Sequence, residues 1–389
     1  MMADDLPAPL AALVASAGEA LPFLPFTELS RVQALSPAAQ SGADRANPIG
    51  LSSERLTEYA LRHGMLAWPP APLTDGALRT HMTRALQGVR LLQQLTRHFT
   101  DAAIDVVSLK GPAFSQWLYG DPCARRFGDL DLLVATAQLD PAVRLLRELG
   151  FAACIPGRAG ELVYASIGAV TMARGNDHHV DLHWRPAARR FSSILDAGDV
   201  LRQSIEIPFG GGVARIPRPE HGAALALTHA AKHLWYALEQ PFAIAVLVRR
   251  SDIDWDEVRA LMATGGGVRG AAAGLAIAAD LFGIDVPAAF RADTDTGEVR
   301  ECRRCARLTM GLPPGTFPDR AMERHLHRLS FDRDGDRFRY DVRRITEPTR
   351  ADVEWVQLPQ ILTSLYWPLR VVRLGATVLG LSPADDAAG

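Results

Sequence analysis

Lysine is almost absent from this chain of 389 residues. Of its 42 basic residues only Lys110 and Lys232 are lysines, and the others are arginines. An ammonium group is a compact point charge, whereas a guanidinium is a broad planar fork, so a site that needs the former resists replacement by arginine. The two lysines are therefore candidate functional residues, with chance retention as the competing interpretation.

Cysteine and long apolar runs are also scarce. Four cysteines, of which only Cys302 and Cys305 lie close together, argue against a disulfide framework and predict a reducing compartment, the cytoplasm. A single CxxC pair without a second pair is treated as incidental. Asp4 and Asp5 stand where a secretion signal would need basic residues, so we expect no such signal. The uncharged stretch 355–369 is shorter than the ~20 residues of a membrane span.

The chain has little excess charge of either sign. Its formal net charge is -2 and its pI about 6.6, so a nucleic-acid or membrane-surface binder is not favoured, and RNA remains only a possible partner. With 48% hydrophobic and 22% charged residues the composition is that of a globular protein with room for several domains. An anionic substrate must then be bound by local charges.

Hydrophobic periodicity divides the chain into three regions and predicts an α+β fold. We expect a helical region over 1–100, a core with a small mixed β-sheet over 101–190, and a mostly helical region over 191–389. Strands are predicted at 104–109, 125–134, 161–166, 169–173 and 179–184, and a hairpin at 205–209 and 213–216. Helices are predicted at 82–99, 111–120, 141–149, 220–248, 254–262 and 270–282, and a solvated loop at 332–340.

Asp129 and Asp131 form the first candidate site. In the strand DLDLLV a period of two places both acids on one face, opposite Leu130 and Leu132. Two neighbouring carboxylates repel each other, and burying them is costly unless a cation lies between them. A divalent ion of the Mg²⁺ class, or Mn²⁺, prefers such oxygen ligands. The alternative is a pair of strand-end acids that face water.

A third acid, Asp181, lies in the run HVDLHW, where it shares a strand face with His183. Three acids from two neighbouring strands can hold two metal ions, and Asp181 can serve as a ligand or as a base. Otherwise Asp181 caps a helix or pairs with an arginine. His183 is a candidate residue for binding the acceptor or for contacting the metal ligands from behind.

Lys110 and Gly111 end one predicted strand and begin a helix. Such a junction directs backbone N–H groups and the positive end of the helix dipole toward a bound anion, usually phosphate. Gly111 allows close approach of the backbone, and Lys110 adds a point charge. Arg126 is expected either to neutralise the acid pair or to contact phosphate.

These motifs carry a family resemblance. The run LKGPAFSQWLYGDPCARRFGDLDLLV, followed by VDLHW and HAAKH, resembles the uncharacterised bacterial branch of the DNA polymerase β-type nucleotidyltransferase superfamily from about residue 56 to about 256. The resemblance implies that Lys110 and Gly111 occupy the phosphate loop, that Asp129 and Asp131 are the metal-binding pair, and that Asp181 is the third carboxylate. The serine that commonly follows the glycine is absent, and the loop from Gly111 to Asp129 is longer than in compact members.

The run HAAKH holds the second lysine. On a helix, His229 and His233 lie one turn apart on one face, with Lys232 beside them. The resemblance places this helix against the core, where Lys232 would bind the β and γ phosphates or the acceptor. Packed structural histidines are the second interpretation. A zinc site is the third, and it lacks the glutamate of HExxH, since position 230 is alanine.

The resemblance implies a Mg²⁺-dependent enzyme that moves a nucleoside monophosphate from an NTP to an acceptor hydroxyl and releases pyrophosphate. The partners would be an NTP and an unidentified small-molecule, peptide or protein acceptor. A non-catalytic nucleotide- or peptide-binding accessory protein of a biosynthetic pathway is one alternative. A toxin-like enzyme that modifies tRNA ends is another. It would need a basic groove beside the acids, and Arg185, Arg189 and Arg190 follow Asp181 in the sequence.

Overall fold

The first three helices precede the first strand. The structure is a computed structural model that describes residues 8–20, 53–65, 75–176, 178–187, 195–312, 316 and 318–378. The helices are α1 (Ala8–Ala20), α2 (Ser53–Arg62) and α3 (Asp75–Asp101). The helix predicted at 82–99 lies within α3, whose residues Leu92, Leu95 and Phe99 are buried. The helical character predicted for this region is thus confirmed over its described residues.

The central region alternates strands and helices. Its elements are β1 (Val106–Ser108), α4 (Gly111–Tyr119), β2 (Asp129–Val134), a 3-10 turn (Thr136–Gln138), α5 (Leu139–Glu148), β3 (Ala152–Ala153), α6 (Gly157–Ile167), β4 (Ala169–Ala173) and β5 (His179–His183). The strands predicted at 104–109 and 125–134 are present but shorter than expected. All five strands lie within 101–190, although the domain boundaries themselves stay a prediction.

The five strands form one mixed sheet in the order β1-β2-β5-β4-β3. Strands β2 and β5 are parallel, and the other neighbours are antiparallel. The parallel register sets Asp131 directly opposite Asp181. The predicted α+β fold with a small mixed sheet is therefore confirmed, and the two strands that carry the acids are neighbours.

The two faces of the sheet pack against different cores. Leu130, Leu132, Val180 and Leu182 belong to a core shared with α3 and α5. Leu133 points the other way and joins the large core of the C-terminal helices. Because side chains alternate along a strand, the acids of β2 and β5 lie on the face toward that helical region.

Over its described residues, the C-terminal region is helical apart from one hairpin, as predicted. The hairpin consists of β6 (Ile205–Phe209) and β7 (Gly212–Ile216). The helices are α7 (Ala197–Arg202), α8 (Pro219–Lys232), α9 (Glu239–Val248), α10 (Trp255–Thr264), α11 (Val268–Phe282), α12 (Gly297–Met310), α13 (Arg320–Ser330), α14 (Asp334–Thr346), α15 (Arg350–Trp355) and α16 (Tyr366–Val378). Two 3-10 segments, Ala288–Asp293 and Gln360–Leu365, lie between them.

The strand predicted at 161–166 is wrong, because these residues belong to helix α6. Gly160, Val163 and Tyr164 are buried at helical spacing, and the Tyr164 hydroxyl accepts the Ile155 N–H at 2.7 Å. The helix ends at Gly168, whose φ of 82° is left-handed. Packing against β4 therefore overrides the local strand preference of the valine and tyrosine.

The single helix predicted at 220–248 is also wrong, since the chain breaks between α8 and α9. Leu234 and Trp235 have positive φ values of 57° and 53°. Pro241, in the first turn of α9, is the sequence signal for a new helix, although no glycine marks the break itself. Trp235 is completely buried, and its packing offsets the cost of the left-handed backbone. The break comes directly after Lys232.

The solvated loop predicted at 332–340 is wrong from Asp334 onward, where helix α14 begins. Tyr340 and Asp336 are buried on this helix, and Asp336 pairs with Arg339 one turn later. The dense charge therefore belongs to ion pairs along a helix.

A buried ion cluster fixes the C-terminal helix α16. Asp352 is completely buried and lies 3.2 Å from Arg370 and 2.5 Å from Arg373, both of which are also buried. No helix among the described residues combines the length and the apolar character needed to cross a membrane.

Candidate active site

The acid pair lies on β2 and already has basic partners. Asp131 is 4% exposed, and its Oδ1 lies 3.0 Å from Lys110 Nζ and 3.0 Å from His183 Nε2. Asp129 is half-buried at the start of the strand. The two carboxylates thus share one face, as the period of two predicts.

Their pKa values are shifted in opposite directions. Burial alone would raise the pKa of Asp131, but the Lys110 charge and the His183 hydrogen bond hold it well below its usual range. Burial and the neighbouring Asp131 charge raise the pKa of Asp129. Ionising both acids therefore needs more positive charge than Lys110 supplies.

Asp181 completes a cluster that can accept a cation. Its Oδ1 is buried and has no hydrogen-bond partner among the described residues. Ligand atoms of Asp131, Asp181 and His183 lie within 4.8 Å of one another. A buried carboxylate oxygen without a partner beside a second carboxylate fits a divalent ion. His183 is thus a further candidate metal ligand beside the acids. Asp129 lies two residues before Asp131 on the same face of the sheet.

Lys110 and Gly111 form the junction between β1 and α4. Gly111 has a φ of 76°, while a Cβ there would meet its nearest atom only at 3.8 Å, so the backbone conformation and not the space requires glycine. Burial by itself would lower the pKa of Lys110, but the charges of Asp131 and Asp129 raise it above its usual value. A protonated lysine thus lies beside a helix N-terminus and the acids.

The HAAKH motif ends helix α8 beside the same acids. Burial and the Lys110 charge lower the pKa of Lys232, and the charges of all three acids act on it in the opposite sense. The rings of His229 and His233 are 4.4 Å apart, and burial with the nearby lysines lowers both pKa values well below 6.5. Both imidazoles are neutral near pH 7. Neither belongs to a metal-ligand cluster among the described residues, so zinc gains no support.

Arg125, rather than Arg126, faces the acid pair. Arg126 is exposed, and its charge acts on His81. Arg125 lies 3.4 Å from Glu239, and its charge acts on Asp129. Sequence reasoning missed Arg125. Arg125 precedes β2, so the alternation of side chains along that strand does not extend to it and no local pattern marks it.

A second missed residue, His327, lies behind Lys232. Its Nε2 lies 2.8 Å from the Lys232 carbonyl oxygen, and its Nδ1 lies 2.7 Å from the Tyr340 hydroxyl. Because a carbonyl only accepts, Nε2 carries the proton and Nδ1 accepts from tyrosine. Burial lowers the pKa of His327 to about 4. Helices α13 and α14 therefore hold the end of α8. No pattern in the sequence links His327 to Lys232 or to Tyr340.

Comparison with protein families shows where this chain belongs. A family model described as uncharacterised nucleotidyltransferase matches residues 26–283, about two thirds of the chain. A solution structure of the antibiotic-resistance factor ANT(2'')-Ia is similar at 12% identity with a TM-score of 0.33, over 45% of this chain and 89% of that chain. No curated protein matches the chain. Since the family match spans most of the sequence and contains all three acids and both lysines, the chain belongs to the uncharacterised nucleotidyltransferase family and is a nucleotidyltransferase enzyme.

Proposed function

We propose that this enzyme transfers a nucleoside monophosphate from an NTP to an acceptor hydroxyl, with Mg²⁺ or Mn²⁺, and releases pyrophosphate. The observation that carries the proposal is the register of β2 and β5, which sets Asp131 opposite Asp181 on a face that Lys110 also reaches. Carboxylates that hold a divalent ion next to phosphate-binding cations are the usual elements of phosphoryl-transfer sites.

The metal ligands would be Asp129, Asp131 and Asp181, with His183 as a nitrogen ligand or as the group that orients Asp131. The bound ion would neutralise charge on the phosphates and lower the pKa of the acceptor hydroxyl. Both Mg²⁺ and Mn²⁺ suit carboxylate and water ligands.

The protein's own groups would position the triphosphate. Lys110, the Gly111 N–H and Lys232 would contact its oxygens, and the exposed Arg126 is a further phosphate contact that we propose. The acceptor oxygen attacks the α-phosphorus as the bond to the bridging α,β oxygen breaks, so the electron pair leaves on pyrophosphate. The hydroxyl proton would pass to the Asp181 carboxylate, which has two oxygens, so that one can hold the ion while the other accepts the proton.

The two neutral histidines would meet the acceptor. Because His229 and His233 are uncharged near pH 7, they can form hydrogen bonds with an acceptor hydroxyl without adding repulsion to Lys232.

Family membership favours catalysis over a non-catalytic accessory role. Of the three arginines that a tRNA-modifying enzyme would use, Arg189 and Arg190 lie outside the described residues. All four cysteines are free thiols, in keeping with the cytoplasmic location that we propose.

The test uses labelled NTPs with Mg²⁺ and a cell lysate, followed by mass spectrometry for products that have gained a nucleotide mass. Wild-type protein should yield a nucleotidylated product and pyrophosphate, and Asp181→Asn should lose at least about 100-fold in rate. Asp140→Asn, a change of an exposed acid on α5, is the matched control and should be unaffected. A product formed equally by the Asp181 variant would contradict the proposal.

A further inference from the structure

A cavity of about 800 Å³ lies between the sheet and the C-terminal helices. Its walls include Ala135 and Trp184, which follow strands β2 and β5, the N-terminal turn of α7, and residues of α14. The cavity is thus formed at the ends of the two strands that carry the acids. Pockets of 300–1,000 Å³ between structural units are typical of small-molecule sites.

The cavity lining has an excess of positive charge. It contains Arg185, Arg339 and Arg343 with two acids, Asp196 and Asp336. Asp196 accepts the backbone N–H of Asp199 as the cap of α7, and Asp336 is ion-paired with Arg339. Each carboxylate is therefore bonded through one oxygen, whereas Asp336 Oδ2 is buried without a hydrogen-bond partner among the described residues.

Arg185 is the cation whose charge is not balanced. It donates to the Ala165 carbonyl at a long 3.5 Å, and no carboxylate among the described residues pairs with it. A guanidinium fork favours carboxylate and phosphate groups. Trp184 and Phe331, which also line the cavity, offer apolar surface to a ring.

We infer that this cavity binds the acceptor, and that the acceptor is a hydroxyl-bearing small molecule with a phosphate or carboxylate group. The inference rests on the proposed function. Arg185 follows Asp181 by four residues, at most about 13 Å along an extended chain. The acceptor would place its anionic group at Arg185 and direct a hydroxyl toward Asp181.

The wall formed by α14 lies outside the part of the chain that matches the family, which ends at residue 283. Arg339 and Arg343 are therefore contributed by the C-terminal helices and not by the shared core. The acceptor chosen by this enzyme depends on that C-terminal region.

The experiment measures binding by calorimetry to protein saturated with Mg²⁺ and a non-hydrolysable NTP, so that the triphosphate site is filled. Glucose 6-phosphate, glucuronate and glucose serve as phosphate-bearing, carboxylate-bearing and neutral probes. We expect one or both anions to bind and glucose not to bind. Arg185→Gln and Arg343→Gln should each weaken anion binding at least tenfold. Arg202→Gln, an exposed arginine of α7 paired with Asp199, is the control and should bind as wild type does.

The outcomes separate this inference from the proposed function. Protein that binds the Mg²⁺·NTP analogue but neither anion, or that binds an anion equally well after both cavity substitutions, overturns the inference alone. Protein that fails to bind the Mg²⁺·NTP analogue overturns the proposed function. The anion that binds shows whether the acceptor carries a phosphate or a carboxylate.

Discussion

Replacing Lys232 by methionine should stabilise the fold while it impairs substrate binding. Burial and the Lys110 charge lower the pKa of Lys232, so the folded state holds this ammonium at a cost. Methionine keeps the length of the side chain and removes the charge. We expect the free energy of unfolding to rise by about 1 kcal/mol, and the melting temperature by about 2 °C. Sites that bind substrate often carry such a cost.

The same variant should lose affinity for the triphosphate. The loss of one charge-assisted contact should raise the dissociation constant for NTP roughly tenfold to hundredfold. Denaturant titration gives the stability, and calorimetry with a non-hydrolysable NTP and Mg²⁺ gives the affinity. A Lys232→Met protein that is less stable than wild type, or that binds NTP equally well, would refute the reasoning.

The pH dependence provides a second check on Lys232. Because its pKa is lower in the folded state, the unfolded state binds more protons above that lowered value. Stability contributed by this residue must therefore rise with pH, up to the pKa of 10.5 of an unperturbed lysine. The stability advantage of Lys232→Met over wild type should shrink as the pH increases through this window.

Three further changes test the surroundings of the site. Because the pKa values of His229 and His233 lie well below 6.5, the free energy of unfolding should fall as the pH drops below 6.5, by up to about 1.4 kcal/mol per pH unit for each histidine. Glutamine at both positions should reduce this loss, as measured by acid denaturation. An unchanged dependence of stability on pH would refute the neutrality of the two histidines. Asp352→Asn breaks a fully buried ion cluster and should lower the free energy of unfolding by about 3 kcal/mol, whereas a loss under about 1 kcal/mol would show that the cluster is solvated. His327→Phe removes the bond to the Lys232 carbonyl and should raise KM for NTP more than it lowers kcat, and a fall in kcat alone would assign it another role.

The acid face was predictable because it depends on local geometry. A period of two in DLDLLV and HVDLHW fixes which side chains share a face, and burial of the alternate leucines fixes the side. We expected the two acid-bearing strands to be neighbours, but the sequence did not predict that β2 and β5 pair in parallel, because no local pattern sets the relative direction of strands so far apart in the chain.

The remaining elements depend on contacts between distant parts of the chain. The break after Lys232 is set by the burial of Trp235, and His327 reaches Lys232 across 95 positions. Arg125 lies beside the acids because of its ion pair with Glu239 on α9. None of these contacts leaves a periodic signal in the sequence. The local patterns therefore predicted Arg126 as the site residue and a continuous helix over 220–248.

The central claim is that the acids of β2 and β5 together hold a divalent ion, and direct Mn²⁺ binding tests it most simply. Electron paramagnetic resonance measures free Mn²⁺ during titration of wild type and of Asp131→Asn, Asp181→Asn and Asp140→Asn proteins. The account predicts saturable binding to wild type and to the Asp140 control, and at least about tenfold weaker binding when either Asp131 or Asp181 is changed. Equal Mn²⁺ affinity in all four proteins would contradict it.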